Sequence, residues 1–343
     1  MDSRFDAVIE KVKKAKRFLV VSHVNPEGDA VGSLIGMALA LKGLGKDVTA
    51  YLEDPVPDIF RFLPGAGTVT HSLAGASGFD VTFAVDCGQK DRLGKGFIAL
   101  KEPGIIINLD HHVTNDRFGD VNVVVPDASS AGEVVYDFCK AAGAVITKEI
   151  ATNLYVAILT DTGSFRYSSA TPEAFIKAGE LVRLGASPWD VSMRVYENYP
   201  AKRYKLLGLV LATLEVMKVD GAGPDNAIAM VTVTQEMFRQ TGADKDHADG
   251  FVNYARGIEG VAVGLLFRET GPGGYKVSMR AKGGVDVSAV SQLFDGGGHA
   301  NAAGCSMKGS LEEVKAEIIS VLKEKIMEAA VTGAGARPPK AMM

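Results

Sequence analysis

Residues 105–112 read Ile105-Ile-Ile-Asn-Leu109-Asp110-His111-His112. Ile105–Leu109 is a near-continuous apolar run of strand length, and it stops abruptly at a carboxylate followed by two imidazoles. The same pattern recurs upstream. Phe18–Val21 ends at Ser22-His23, Val48–Tyr51 is a further strand, and Val81–Val85 runs into Asp86. A Gly/Pro turn after His23 leads into an apolar-periodic helix from about Ala30 to Leu44. Downstream, Ser130-Ala-Gly-Glu133 reads as a capping box opening a helix to about Ala142. A second helix runs from about Lys148 to Leu159, followed by Thr160-Asp161-Thr-Gly163, and Thr171-Pro172-Glu173 opens a third that ends near Gly185. Buried Val/Ile runs alternating with helices predict an α/β fold with a mostly parallel sheet covered on both faces.

The chain has 343 residues, which predicts two domains, since a single core stops growing well below that length. The texture changes around Ser187–Arg203, where Pro188, Trp189 and Asn198-Tyr199-Pro200 interrupt the pattern. Strands are then expected at Leu214–Val219, Ala227–Val233, Val261–Phe267 and Tyr275–Met279. Helices are expected near Asp286–Phe294 and Leu311–Ala330, and a hairpin at Gly271-Pro-Gly-Gly274. The expected division is a catalytic domain over 1–187, a linker helix over 188–213, a smaller mixed α/β domain over 214–330 and a disordered tail over 331–343.

No run of about 18 apolar residues is present, so no membrane span is expected. The charged amphipathic start lacks the apolar segment of a secretory signal, and three scattered cysteines suit a reducing cytoplasm. With 37 basic and 41 acidic residues the formal net charge is −4, which counts against a protein that coats long nucleic acid. A short anionic substrate is still allowed. The excess has a local origin. Forty-one acids less Glu27, Asp29, Asp86, Asp110 and Asp161 leave 36 against 37 bases.

Those five acids belong to one argument. Ligands of parallel α/β sheets bind beyond the carboxyl ends of the strands. His23 to Asp29, Asp86, Asp110 to His112, and Asp161 to Gly163 all fall where a strand or helix stops. So many carboxylates cannot share a small site unless a positive charge holds them. Mixed imidazole and carboxylate ligation suits Mn²⁺, Fe²⁺, Zn²⁺ or Co²⁺. Seven or eight ligands exceed the needs of one ion, so two ions sharing a bridging carboxylate are expected, of the kind that clamp a phosphoryl displacement.

His23-Val-Asn-Pro-Glu-Gly-Asp-Ala-Val-Gly-Ser33, Asp86, Asp110-His111-His112 and Asp161-Thr-Gly163 together resemble the four motifs of the DHH phosphoesterases. Gly296-Gly-Gly-His299-Ala-Asn-Ala-Ala-Gly304 resembles the glycine–histidine motif of the DHH-associated substrate domain, and Ser278-Met-Arg280-Ala281 its Ser-x-Arg-Ser segment. Five motifs occur in order, and the whole chain to about residue 330 is similar to the oligoribonuclease/pAp phosphatase (NrnA-type) branch. The resemblance implies that His23, Glu27 and Asp86 hold one metal ion. Asp29, Asp86, His112 and Asp161 hold the other, with Asp86 bridging. Asp110 then orients an imidazole, and His111 lies against the scissile phosphate, making His111, Asp110 and Asp86 the catalytic set. Arg280, Gly296, Gly297, Gly298 and His299 bind substrate, and the active site lies in the cleft between the domains. Three departures stand out: Glu27 and Asp295 replace the family's usual Asp and Gly, and Ala281 its last Ser.

The implied activity is two-metal hydrolysis, with Mn²⁺ favoured. The substrates are short RNA or DNA oligonucleotides of two to five units, cut to 5′-mononucleotides, or 3′-phosphoadenosine 5′-phosphate (pAp). The rivals are a phosphodiesterase for cyclic di-AMP or pApA, a single-strand exonuclease, an inorganic pyrophosphatase and a non-catalytic nucleotide-binding sensor. The implied enzyme is cytoplasmic with no membrane partner, and a homodimer is left open.

Overall fold

A computed structural model describes residues 3–332, apart from the side chains of His299 and Thr332. The chain forms two compact units, Met1–Asn198 and Tyr199–Met343. In the first, β1 (Arg17–Val21), β2 (Asp47–Tyr51), β3 (Val69–Thr70), β4 (Val81–Val85), β5 (Ile105–Asp110) and β6 (Val121–Val124) build one sheet. Its order is β3-β2-β1-β4-β5-β6 and every pairing is parallel. The order reverses direction between β1 and β4, so the crevice of a doubly wound sheet opens beyond the carboxyl ends of those two strands. His23 follows β1 there, and Asp86 follows β4. The short edge strands β3 and β6 carry too few residues for their periodicity to be read from sequence.

Helices α1 (Asp6–Lys14), α2 (Gly28–Gly43), α3 (Lys95–Ile98), α4 (Ala131–Ala142), α5 (Lys148–Asp161), α6 (Pro172–Arg183) and α7 (Pro188–Tyr196) complete this unit. Ser130 caps α4 as expected, with its hydroxyl accepting from the Glu133 N–H at 3.3 Å. The return half of the box differs, because Glu133 Oε1 accepts from Ser129 N rather than from the cap residue. Asp161 is the last residue of α5 instead of lying in a loop after it.

Helix α2 is buried almost throughout, and its packing on α5 depends on glycine. A Cβ on Gly28 would meet the Thr160 side chain, one on Gly32 the Asn153 carbonyl, and one on Gly36 the Leu154 side chain at 2.7 Å. Spaced four apart, these glycines lie on one helix face, and the two backbones close on each other there. That approach brings Asp29, in the first turn of α2, towards Asp161 at the end of α5.

The expected linker helix over 188–213 is two helices, α7 and α8 (Ala201–Leu211), and the unit boundary falls between them. Pro200 has no N–H to continue a helix and disfavours helical backbone at Tyr199, so the chain breaks there. The second unit holds β7 (Glu215–Met217), β8 (Ala227–Val233), α9 (Gln235–Thr241), α10 (Val252–Arg256), β9 (Val261–Gly271), β10 (Gly274–Ala281), α11 (Val287–Gln292), β11 (Gly297–His299), β12 (Ala302–Lys308) and α12 (Leu311–Thr332). Its sheet order is β11-β12-β10-β9-β8-β7, antiparallel except for β8 with β9. Of the tail expected to be disordered, Val331 and Thr332 continue α12. The remainder of that expectation, 333–343, lies outside the described residues.

The glycine stripe yields a paired test. Gly32→Ala forces a methyl onto a backbone carbonyl that cannot swing aside and is expected to destabilise by roughly 1–3 kcal/mol. Gly43→Ala, at the end of the same helix with nothing within 4 Å, is expected to be neutral or stabilising. Thermal unfolding midpoints of the two variants check this, and equal shifts would remove the close-approach argument.

Candidate functional site

Asp29, Asp86 and Asp110 are respectively 1%, 2% and 0% exposed, and the structure gathers them with His23, His111, His112, Glu27 and Asp161. Three overlapping sets of ligand atoms lie within 4.8 Å of one another: His23, Glu27 and Asp86; Asp29, His111 and Asp161; and Asp86, Asp110, His111 and His112. Asp86 and His111 each belong to two of the sets and link all three. Asp86 follows β4 in left-handed backbone, with φ 53°, which a non-glycine residue adopts at some energetic expense. That conformation turns the carboxylate into the crevice. His23 Nε2 stands 3.5 Å from its Oδ2, and His111 Nε2 stands 3.6 Å from its Oδ1.

His23 and His111 are oriented alike. The Nδ1 of His23 lies 2.8 Å from the Val24 carbonyl, and that of His111 lies 3.2 Å from the Ala128 carbonyl. A ring that donates from Nδ1 to a carbonyl presents Nε2 as its ligand atom. His23 Nε2 faces Glu27 Oε2 at 3.2 Å. His111 Nε2 faces Asp29 at 3.8 Å and Asp161 at 3.6 Å. Glu27 is also the N-cap of α2, with Oε1 accepting from Ala30 N at 3.0 Å. One carboxylate therefore serves both the helix end and the cluster, and the longer side chain has the reach for both.

The two imidazoles of the Asp-His-His motif exchange their expected places. His112 was expected beside Asp29 and Asp161, but His111 occupies that position. His112 instead sets Nδ1 2.7 Å from Asp110 Oδ1. Successive residues leaving a strand point to opposite sides, so only one of the pair can face the carboxylates on α2 and α5. The imidazole that meets the Asp110 carboxylate is that of His112. Asn115 holds that carboxylate in turn, donating to its other oxygen at 2.5 Å and to Asn108 Oδ1 at 2.7 Å. Asn108 donates to the Ala84 and Cys87 carbonyls and so ties β5 to the end of β4.

Several of these supports were missed in the sequence. Asn108 is a buried polar residue inside an isoleucine run, and that oddity was a readable signal. Ser33, four residues after Asp29 and so on the same helix face, donates to Asp29 Oδ1 at 2.6 Å. The amides of Ala131 and Gly132 also reach Asp29, at 2.6 and 3.0 Å. The positive end of α4 thus neutralises part of a charge 102 residues earlier in the chain. Nothing local in the sequence announces that pairing.

The electrostatics express a surplus of negative charge. Burial would lower the His23 imidazole, but its contacts with Asp86 and Glu27 outweigh burial and push it up to about 11. His111 is likewise raised, against burial, by Asp86, Asp29 and Asp161. Burial would raise Asp86, yet the imidazoles of His111 and His23 hold it well below the usual carboxylate range. Burial, only partly offset by His111, pushes Asp161 up to about 7. Burial together with the charges of Asp86 and Asp161 raises Asp29 despite its donors. The cluster demands cations and takes protons where it can. Asp86 Oδ1 is buried and makes no hydrogen bond among the described residues. An orphaned carboxylate oxygen amid imidazole and carboxylate ligand atoms fits divalent metal, which the side chains present can hold.

In the second unit, Ser278, Arg280, Gly296 and Gly297 line one cavity of about 640 Å³. The glycine segment forms the short strand β11, paired antiparallel with β12. Its glycines differ in purpose. A Cβ on Gly296 or Gly298 would strike neighbouring backbone, whereas one on Gly297 would meet nothing within 4 Å. Gly296 and Gly298 are thus required by the fold itself, and Gly297 leaves an open approach from the cavity. Asp295 adopts φ 54°, which accounts for glycine being usual at that position, and aspartate is among the few other residues that tolerate it. The buried Ser291 hydroxyl, another residue missed in the sequence, donates to the Gly304 carbonyl at 2.7 Å and ties α11 to β12. The side chain of His299 lies outside the described part of the structure.

A switch-point crevice filled with carboxylates and imidazoles that call for metal defines a phosphoesterase of the DHH type. The DHH family N-terminal domain matches residues 17–158 and the DHHA1 domain residues 226–328, and the chain belongs to the DHH phosphoesterase family of hydrolases. It is 33% identical over 311 residues to the bifunctional oligoribonuclease and PAP phosphatase NrnA of Thermus thermophilus, covering 90% of each chain. It is 26% identical to the probable NrnA of Streptococcus mutans, over 93% of this chain and 99% of that one. Among solved structures, an exopolyphosphatase-related protein from Bacteroides fragilis superposes with a TM-score of 0.86 at 27% identity, over 96% of this chain and 98% of that one. Among the described residues, no helix is long and apolar enough to cross a membrane.

Asp110→Asn tests the ring-orienting pair. Loss of such a carboxylate partner is expected to lower phosphoesterase activity by roughly 10- to 100-fold, with the circular dichroism of the fold retained. Unchanged activity would take the Asp110–His112 pair out of the working site.

Proposed function

We propose that this phosphoesterase uses two divalent ions, Mn²⁺ by preference, to hydrolyse short oligonucleotides of two to five units to 5′-mononucleotides and to remove the 3′ phosphate of pAp. The observation that carries the two-ion reading is the way Asp86 faces both groups. It shares one ligand set with His23 and Glu27, its Oδ2 lying 3.5 Å from His23. Its Oδ1 lies 3.6 Å from His111, which belongs to the set of Asp29 and Asp161. His23, Glu27 and Asp86 would hold one ion, and Asp29, Asp86, His111 and Asp161 the other. When bound, such ions supply a water nucleophile at neutral pH and compensate the charge of the phosphoryl group.

The remaining work falls to the chain. Ser33 and the α4 amides keep Asp29 aimed, and the carbonyls of Val24 and Ala128 keep the His23 and His111 rings aimed. His112, steadied through Nδ1 by Asp110, presents Nε2 to a phosphoryl oxygen and stabilises the departing charge. Arg280 grips a second phosphate of the substrate with its planar fork, and the open side of Gly297 lets backbone come close to it. The names of the relatives, oligoribonuclease and PAP phosphatase, support this choice of substrates. The three free cysteines are all buried, which agrees with a reducing cytoplasm.

A rate panel tests the reading, with Mn²⁺ and with chelator, on pAp, two- to five-unit RNA and DNA, pApA and cyclic di-AMP. Comparable manganese-dependent rates on pAp and short RNA are expected, with activity lost on chelation. Dominant hydrolysis of cyclic di-AMP would replace the substrate assignment, and nucleotide binding without turnover would make the protein a sensor. Asp86→Asn should abolish manganese-dependent hydrolysis. If it does not, the shared-carboxylate model is wrong.

A further inference from the structure

Strand β10 carries more than Arg280. Its residues alternate between a buried face (Val277, Met279, Ala281) and an open face (Lys276, Ser278, Arg280). All three open-face residues line the same 640 Å³ cavity as Gly296 and Gly297. Register adds neighbours in rows across the sheet. Arg280 lies opposite Ala302 and Gly264, Ser278 opposite Gly304 and Leu266, and Lys276 opposite Ser306 and Arg268. Ser306 also lines the cavity.

The Lys276 end is therefore a second polar row, not a continuation of the Arg280 contact. Two carboxylates, Asp249 and Asp295, line the cavity as well. Near Asp249 the cations Lys276, Arg203 and Arg268 act on its carboxylate, against one further acid, Asp246. Arg203 is committed to the His247 and Asp249 carbonyls, at 2.5 and 2.7 Å. Lys276 and Arg268 form no ion pair within 4.0 Å among the described residues. An exposed ammonium and a serine hydroxyl on the wall of a cavity, with the guanidinium of Arg268 on the neighbouring strand, suit a phosphate.

Four residues along a strand span about 13 Å. That is longer than a single phosphodiester step, so side chains extended from Arg280 and Lys276 suit phosphates that are not adjacent. Ser278, halfway along, offers only a hydroxyl. We propose that Lys276, with Arg268 and Ser306 beside it in the sheet, forms an outer phosphate subsite that oligonucleotides of four or more units reach while Arg280 is occupied. Lys276 is then a determinant of how long a substrate the enzyme favours. The inference rests on the oligonucleotide reading above and adds a length dependence to it.

The experiment compares wild type, Lys276→Met and Lys276→Arg on pAp and on RNA of two to five units with Mn²⁺, measuring kcat/KM at several salt concentrations. Lys276 is exposed, and matching thermal midpoints would establish that the variants fold. Lys276→Met is expected to stay within about twofold of wild type on pAp and the dinucleotide, and to lose about tenfold on the four- and five-unit substrates, as removal of one charge-assisted contact predicts. Its salt slope on the longer substrates should fall by about 0.7, the value for one phosphate contact on a single strand. Lys276→Arg should restore most of the rate. Equal losses at every length, or no loss at any, would overturn the subsite while leaving the enzyme's substrate class intact. A wild type inactive on all the oligonucleotides would overturn both.

Discussion

Carboxylates that share a buried pocket repel one another, and the first unit is arranged around that repulsion. Asp29 and Asp86 are almost completely withdrawn from water, where like charges interact far more strongly than they would in solvent. Each is tolerated because positive charge or donors converge on it. Asp86 has imidazoles on two sides, and Asp29 has a serine hydroxyl and the first amides of α4. Even so the compensation is incomplete. Imidazoles raised far above their ordinary range and an Asp161 carboxyl pushed up to about 7 are what an acidic cluster does when protons are its only cations. The same deficit makes the cluster a strong ligand set for divalent metal, so structural strain and chemistry have one origin.

Holding the cluster together requires backbone geometry as well as charge. The sheet reverses its order between β1 and β4, which sets His23 next to Asp86, and glycines on α2 let it close on α5, which sets Asp29 near Asp161. Neither device contains a ligand. A methyl group at Gly32 would push apart the two helices that carry Asp29 and Asp161, so a change distant from the cluster would reach it through packing. The second unit uses glycine in another way. Gly296 and Gly298 are packed against neighbouring backbone, which leaves Gly297, of these three, without an internal reason and open towards the cavity.

Much of this was legible in the chain. Apolar runs ending in Asp, His or Glu announced a parallel sheet and a site at its carboxyl edge, because strand length, hydrophobic continuity and turn chemistry are local properties. The acids and imidazoles of the cluster were readable for the same reason, and so was the demand for metal, which follows from counting like charges. The breaks were less legible. Asn198-Tyr199-Pro200 was readable as an interruption, but not the separate helix α7 before it, and β3 and β6 are too short to carry a period.

What the sequence by itself determined was the inventory: which elements form, which residues end them, and that their carboxylates would need cations. Only the tertiary structure decided which imidazole faces which carboxylate. His111 and His112 are chemically identical neighbours, and their roles separate only when a strand end turns one towards α2 and α5 and leaves the other on Asp110. The same holds for Asp29 and the start of α4, a contact between segments 102 residues apart. Side-chain direction and long-range contact are set by how elements pack, and no window of sequence contains that information.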